Sequence, residues 1–248
     1  MTILCYHSVQ DDWKSPLAVG RSDFRDQALW LSQHARVVSL DDAVSSLDAS
    51  GRLPAGTVVL TFDDGFSALY ENVLPILNEL ELPATIFLVA ETLSETGRQV
   101  DWVDTAPAFP LRTLTRDQVA EMGTAGVSFA SHSYSHHDLT ALSFDECVAD
   151  LRRSKELLED LLGAPVPFLA YPRGRHDASV RRATAEAGYT HGFALPQGPE
   201  PAGAFSVPRV GIFPGNGRRA MYLKTRRAYL PVRQSRAFPM LKRVAGRR

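Results

Sequence analysis

Two adjacent carboxylates, Asp63 and Asp64, end the apolar run Val58-Val59-Leu60-Thr61-Phe62 and are followed by Gly65. Two imidazoles, His132 and His136, stand four residues apart after the short run Val127-Ser128-Phe129-Ala130-Ser131. An isolated Asp-Asp-Gly is usually a turn, and an isolated His-x-x-x-His is usually a pair of surface or packed rings. Here each cluster follows a strand-like segment, so both sets of ligand-type side chains are delivered at strand ends. One carboxylate with two imidazoles suits a divalent ion and leaves coordination positions open for water and substrate. Zn²⁺ is the first expectation, with Fe²⁺, Co²⁺ and Ni²⁺ as alternatives. The carboxylate left over is a natural general base for that water.

The elements that must position these groups alternate between strand and helix, which predicts a wound α/β fold with a mostly parallel sheet. Strands are expected at residues 3–7, 36–40, 58–62, 84–90, 127–131, 166–171, 190–194 and 206–212. Helices are expected over 23–35 with Ser22 as N-cap, 41–47, 67–80 with a kink at Pro75, 115–122 capped by Thr115, 143–162 ended by Gly163, and 177–187. Residues 91–114 show no period and hold Trp102, Pro107 and Pro110. A loop this long inside a compact domain is often functional.

A chain of 248 residues, 44% hydrophobic and 22% charged, fits one α/β domain with a sizeable core. Its two cysteines, Cys5 and Cys147, make no disulfide framework. The N-terminal segment is too short and too quickly polar for a signal peptide, and no run approaches a membrane span, so the expected location is cytoplasmic. Charge is uneven. Residues 218–248 carry 11 Lys and Arg and no acid, which leaves −12 on residues 1–217 of a chain whose total is −1. This basic extension reads either as a solvated tail or as a surface drawn to an anionic carrier or to the inner face of a membrane. No specific nucleic-acid partner is expected from it.

Thr61-Phe62-Asp63-Asp64-Gly65 and His132-Ser133-Tyr134-Ser135-His136 resemble the first two motifs of the polysaccharide deacetylase family, the NodB-homology or carbohydrate esterase family 4 group. Leu4-Cys5-Tyr6-His7-Ser8-Val9, Ala170-Tyr171-Pro172-Arg173-Gly174 and Phe205-Ser206-Val207-Pro208-Arg209-Val210 are similar to segments of the branch that contains the poly-β-1,6-N-acetylglucosamine deacetylases. The resemblance implies a distorted (β/α)7-type barrel over residues 1–215, with 216–248 as a basic C-terminal extension. It implies Asp63 as base, and Asp64, His132 and His136 as metal ligands. The backbone N–H of Arg173 would be the oxyanion donor. The family's late Leu-x-His acid is absent after Gly174, so His7 is the expected proton donor. The arginine that usually opens the third motif is replaced by Ala170, and Arg209 is the candidate to supply that guanidinium. Tyr171 and Trp102 are expected substrate contacts, with pinning of the long loop as the alternative for Trp102.

The leading functional expectation is removal of acetyl from an N-acetylhexosamine-containing glycan or glycoconjugate. The same site also suits another amide (cyclic amide or formamide) or an O-acetyl ester. From a different class, a non-catalytic glycan-binding module is disfavoured because Asp63, Asp64, His132, His136 and His7 are all present.

Overall fold

The computed structural model describes residues 2–50, 55–196, 198–200 and 203–235. The chain opens with β1 (Thr2–Tyr6), a small pair β2 (Ser8–Val9) and β3 (Ala18–Val19), α1 (Arg21–His34), β4 (Arg36–Val37) and α2 (Leu40–Ser50). It continues through β5 (Thr57–Phe62), α3 (Ala68–Asn72), α4 (Leu74–Glu79), β6 (Ala84–Leu88), α5 (Arg116–Thr124), β7 (Val127–Ser131) and α6 (Phe144–Leu162). Last come β8 (Phe168–Ala170), α7 (Ala178–Glu186), β9 (His191–Ala194), β10 (Val207–Pro208), β11 (Val210–Gly211), α8 (Arg218–Lys224) and α9 (Tyr229–Arg233).

The main sheet is parallel, in the order β10-β9-β8-β7-β6-β5-β1-β11, with β4 pairing on Thr57 and Val58 of β5. Its two edge strands are consecutive in the chain, because Val207–Gly211 runs first along β9 and then along β1. The segment expected as a single strand over 206–212 is therefore split at Arg209, and its two halves close the seventh stave of the barrel. β1, β5 and β6 are buried throughout, as parallel strands covered on both faces must be.

Side-chain alternation decides what enters the barrel. Ile3, Val59, Phe87, Ala130, Ala170, Phe193 and Val207 form one apolar cluster inside it, together with Leu40, Ala43 and Val44 of α2. The intervening residues, such as Leu4, Leu60, Ile86 and Leu169, pack outward against the helices. Two residues beyond Val207 is Arg209, and two beyond Ala130 is His132. The step Val59, Thr61, Asp63 leads to the first carboxylate. The period that fills the core thus also points the polar groups at the upper mouth of the barrel.

Several expected boundaries shift for local reasons. Gly20, not Ser22, is the N-cap of α1, without a side-chain cap. The helix expected over 67–80 breaks into α3 and α4 at Val73, with a proline in the first turn of α4, where a missing N–H costs nothing. α5 and α6 start in full capping boxes, Thr115 with Gln118 and Ser143 with Glu146. The first part of the basic extension packs on the body: Met221 is fully buried in the main core, and Lys224 donates to the Gly211 carbonyl at 2.6 Å and to Asn216. The remainder of the extension, residues 236–248, lies outside the described residues.

Candidate functional site

Asp63 continues the β5–β1 ladder, donating its N–H to the Tyr6 carbonyl (2.9 Å), and His132 continues β7–β6 through Leu88 (2.8 Å). Both side chains therefore leave the sheet from fixed backbone. Immediately after them the chain turns sharply. Asp64, Ser133 and His136 all have left-handed backbones, with φ of 68°, 68° and 57°. Such conformations cost non-glycine residues of order 1–3 kcal/mol each and cluster at functional sites. Gly65, also at positive φ, lies against Leu88, whose Cδ2 would be 2.7 Å from any added Cβ. The histidine loop is tied down by Asp150 of α6, which accepts from the Tyr134 N–H (3.0 Å) and the Ser135 hydroxyl (2.8 Å).

Arg209 is fully buried and forms a bidentate pair with Asp63, Nη1 to Oδ1 at 2.6 Å and Nη2 to Oδ2 at 2.7 Å. Its guanidinium lies 5.0 Å from the Phe87 ring centroid. Burial on its own would raise the Asp63 pKa. The charge of Arg209, then His132 and the hydrogen bonds from Arg209, outweigh it and hold the carboxyl well below the usual range. The Cys5 thiol donates to Asp63 Oδ2 at 3.3 Å, and burial pushes that thiol's own pKa well up.

Nε2 of His136 lies 3.2 Å, and Nε2 of His132 3.7 Å, from Oδ1 of Asp64. The three ligand atoms are all within 4.8 Å of one another. Tetrahedral zinc with ligand bonds of about 2.05 Å requires ligand–ligand edges of roughly 3.3 Å, close to these spacings. His132 Nδ1 contacts the Ala170 carbonyl at 2.8 Å. That contact makes Nδ1 the N–H donor and leaves the Nε2 lone pair facing Asp64. Burial, the largest influence, lowers the His132 pKa to about 4, so the ring is neutral, as a ligand must be. For Asp64 the burial penalty is outweighed by the hydrogen bond and charge of His136, and its carboxyl sits below the ordinary value. The donor set, its tautomer and its spacing fit a divalent cation.

These groups line one cavity of about 300 Å³, together with His7, Leu17, Trp102, Arg173, Leu195 and Phe213. His7 is partly exposed, and its ligand-type ring nitrogen lies within 4.8 Å of those of Cys5 and Asp63. It therefore faces the site and not the core. Trp102 has a closer relation to the candidate ligands than its place in an aperiodic loop suggested. Its indole N–H donates to Asp64 Oδ1 at 3.1 Å, and its ring stacks on His136 with centroids 5.0 Å apart. The loop carrying it is latched by Trp13 Nε1 to the Thr105 carbonyl (2.8 Å) and by Arg173, which reaches the Trp102 carbonyl (3.0 Å) and Asp104 (3.3 Å).

Arg173 itself sits at the cavity wall with φ of 56°. Tyr171 does not meet the expectation of a substrate contact. It is fully buried, lies across Gly192 and donates its hydroxyl to the Phe205 carbonyl at 2.9 Å, so it braces β8 against the segment leading to β10. Sequence reasoning missed Asp150. Its signal was a carboxylate on the buried stripe of α6, three residues after Cys147 and four before Ser154, both buried.

The polysaccharide deacetylase family model matches residues 50–192. The Bacillus subtilis (strain 168) protein YxkH, named for the same family, is 25% identical over 218 residues, 87% of this chain and 72% of its own. The poly-beta-1,6-N-acetyl-D-glucosamine N-deacetylase of Staphylococcus epidermidis is 27% identical over 188 residues, 72% of this chain, which spans 61% of that relative's length. Among solved structures, the Streptococcus pyogenes deacetylase PplD in complex with acetate superposes with a TM-score of 0.77 at 26% identity, over 91% of this chain and 98% of that one. The match takes in more than half of the 248 residues, including the Asp pair and both histidines, on a nearly closed parallel barrel of the kind its relatives share; the chain belongs to the polysaccharide deacetylase family and is a deacetylase hydrolase.

Proposed function

We propose that the protein is a metal-dependent N-deacetylase acting on an N-acetylhexosamine-containing glycan or glycoconjugate. The observation that carries this reading is the juxtaposition of an Arg209-clamped Asp63 with the Asp64, His132 and His136 set in one cavity. A divalent ion held by those three side chains, Zn²⁺ by donor type, would polarise the acyl oxygen and acidify a water. Asp63 takes the proton from the attacking water. A carboxylate offers about four lone-pair sites; Arg209 occupies two and Cys5 a third, which leaves one for that proton. Arg209 keeps the group ionised between turnovers. The backbone N–H of Arg173 donates to the developing oxyanion. His7, near Asp63, gives a proton to the leaving amine. The cavity, at the small end of ligand-binding pockets, suits one sugar ring and its acyl group.

The test is acetate release from β-1,6- and β-1,4-linked N-acetylglucosamine oligomers, run with metal analysis on the same preparation. Stoichiometric metal and chelator-sensitive acetate release are expected. Metal-loaded protein that releases acetate from no N-acetylhexosamine substrate overturns the reading.

A further inference from the structure

We infer that the exposed side of α8 and the turn after it form a docking surface for an anionic lipid bilayer. Among the described residues, five large hydrophobic side chains are exposed, and four of them fall between 213 and 232: Phe213, Tyr222, Leu223 and Val232, at 37%, 49%, 58% and 47%. The same stretch exposes Arg218, Arg219, Arg226 and Arg227. Helical spacing divides α8 into two faces. Met221 and Lys224 are buried and hold the helix to the body, while Arg218, Arg219, Tyr222 and Leu223 face solvent. The Arg226 guanidinium lies 3.9 Å over the Tyr222 ring, which brings the turn onto the same face.

Interleaved arginine with exposed tyrosine and leucine is the composition of an interfacial helix, which seats its aromatic and aliphatic groups below the headgroups and its cations among the phosphates. A polyanion such as nucleic acid would use the arginines and leave Leu223 without a role. Charge complementarity supports the choice. No acid follows Glu200 in the chain, so no carboxylate from this segment offsets the four arginines. Phe213, just ahead of α8 in the chain, is exposed and also lines the cavity wall. The inference concerns binding and does not depend on which acyl group is removed.

The experiment is co-sedimentation of the full chain with vesicles of phosphatidylcholine alone and with about one third phosphatidylglycerol, at low and high salt. Binding to the anionic vesicles only, weakened by salt, is expected. Each basic residue near such a surface is worth about fivefold in partitioning. The Arg218→Gln/Arg219→Gln/Arg226→Gln/Arg227→Gln variant should therefore lose several hundredfold while keeping its melting temperature and its turnover of a soluble substrate. Unchanged partitioning of that variant, equal binding to neutral vesicles, or tighter retention on single-stranded DNA than on anionic vesicles overturns the proposal.

Discussion

Replacing Arg209 with methionine isolates its buried bidentate pair with Asp63. The two side chains meet through hydrogen bonds of 2.6 and 2.7 Å, and neither is more than 2% exposed. Methionine fills comparable space but leaves Asp63 as a buried carboxylate without its counter-ion. Breaking such a pair from one side costs about 3–5 kcal/mol, a large part of the 5–15 kcal/mol that holds a domain together. The pH dependence supplies a second readout. In the native chain the Asp63 pKa lies below its unfolded value, so the pair contributes its stability above the ordinary carboxylate pKa and loses it only as pH falls far into the acid range. In the variant the largest lowering influence is gone, and burial outweighs what His132 and His7 still supply. The folded pKa moves above the unfolded one, the native state binds the extra proton, and stability falls as pH rises. Urea denaturation of metal-free protein at pH 5 and pH 8 should show the variant losing stability toward pH 8 more steeply than the parent. Adding Asp63→Asn should recover most of the loss, because the uncompensated charge is gone. A loss under 1 kcal/mol, or a double variant no more stable than the single one, would refute the argument that the guanidinium is there to hold a buried anion.

Asp63→Asn alone should retain metal and lose about 10²–10⁴-fold in turnover, the range for a general base; near-parental acetate release removes that role. His136→Ala should lower metal affinity by more than the roughly 10–100-fold typical of an outer partner, while the same metal content as the parent would dismiss it as a ligand. Trp102→Phe keeps the stack on His136 but deletes the indole N–H to Asp64, and competition with a chromophoric chelator should show metal affinity down about 10–100-fold. Unaltered affinity there would make the hydrogen bond incidental.

The Asp pair and the histidine pair were legible because each follows a segment whose apolar character and period declare a strand, and strand ends are where barrels of this kind gather chemistry. Arg209 was legible as the guanidinium for the catalytic carboxylate, because Ala170 stands where the family places its arginine, and it does pair with Asp63; what the chain gives no sign of is that its segment serves two edges of the sheet. Trp102 lies in a stretch with neither period nor cap, and its contact with Asp64 depends on latches from Trp13 and Arg173, far away in sequence. Tyr171 was misjudged for a related reason: its neighbours in sequence border the cavity, while its hydroxyl is drawn to the carbonyl of Phe205 on another element. Long-range hydrogen bonding decides such cases, and it leaves no local trace.

The segment that carries Arg209 is also the one that joins β9 to β1. During synthesis the carboxylates, the histidines and most of the sheet emerge first, and all of them precede Val207 in the chain. Until that late piece arrives, Asp63 has no guanidinium and the nascent barrel remains an open sheet. Chain completion therefore completes the site: a fragment ending before Val207 carries Asp64, His132 and His136 but lacks the guanidinium that Asp63 pairs with in the full chain.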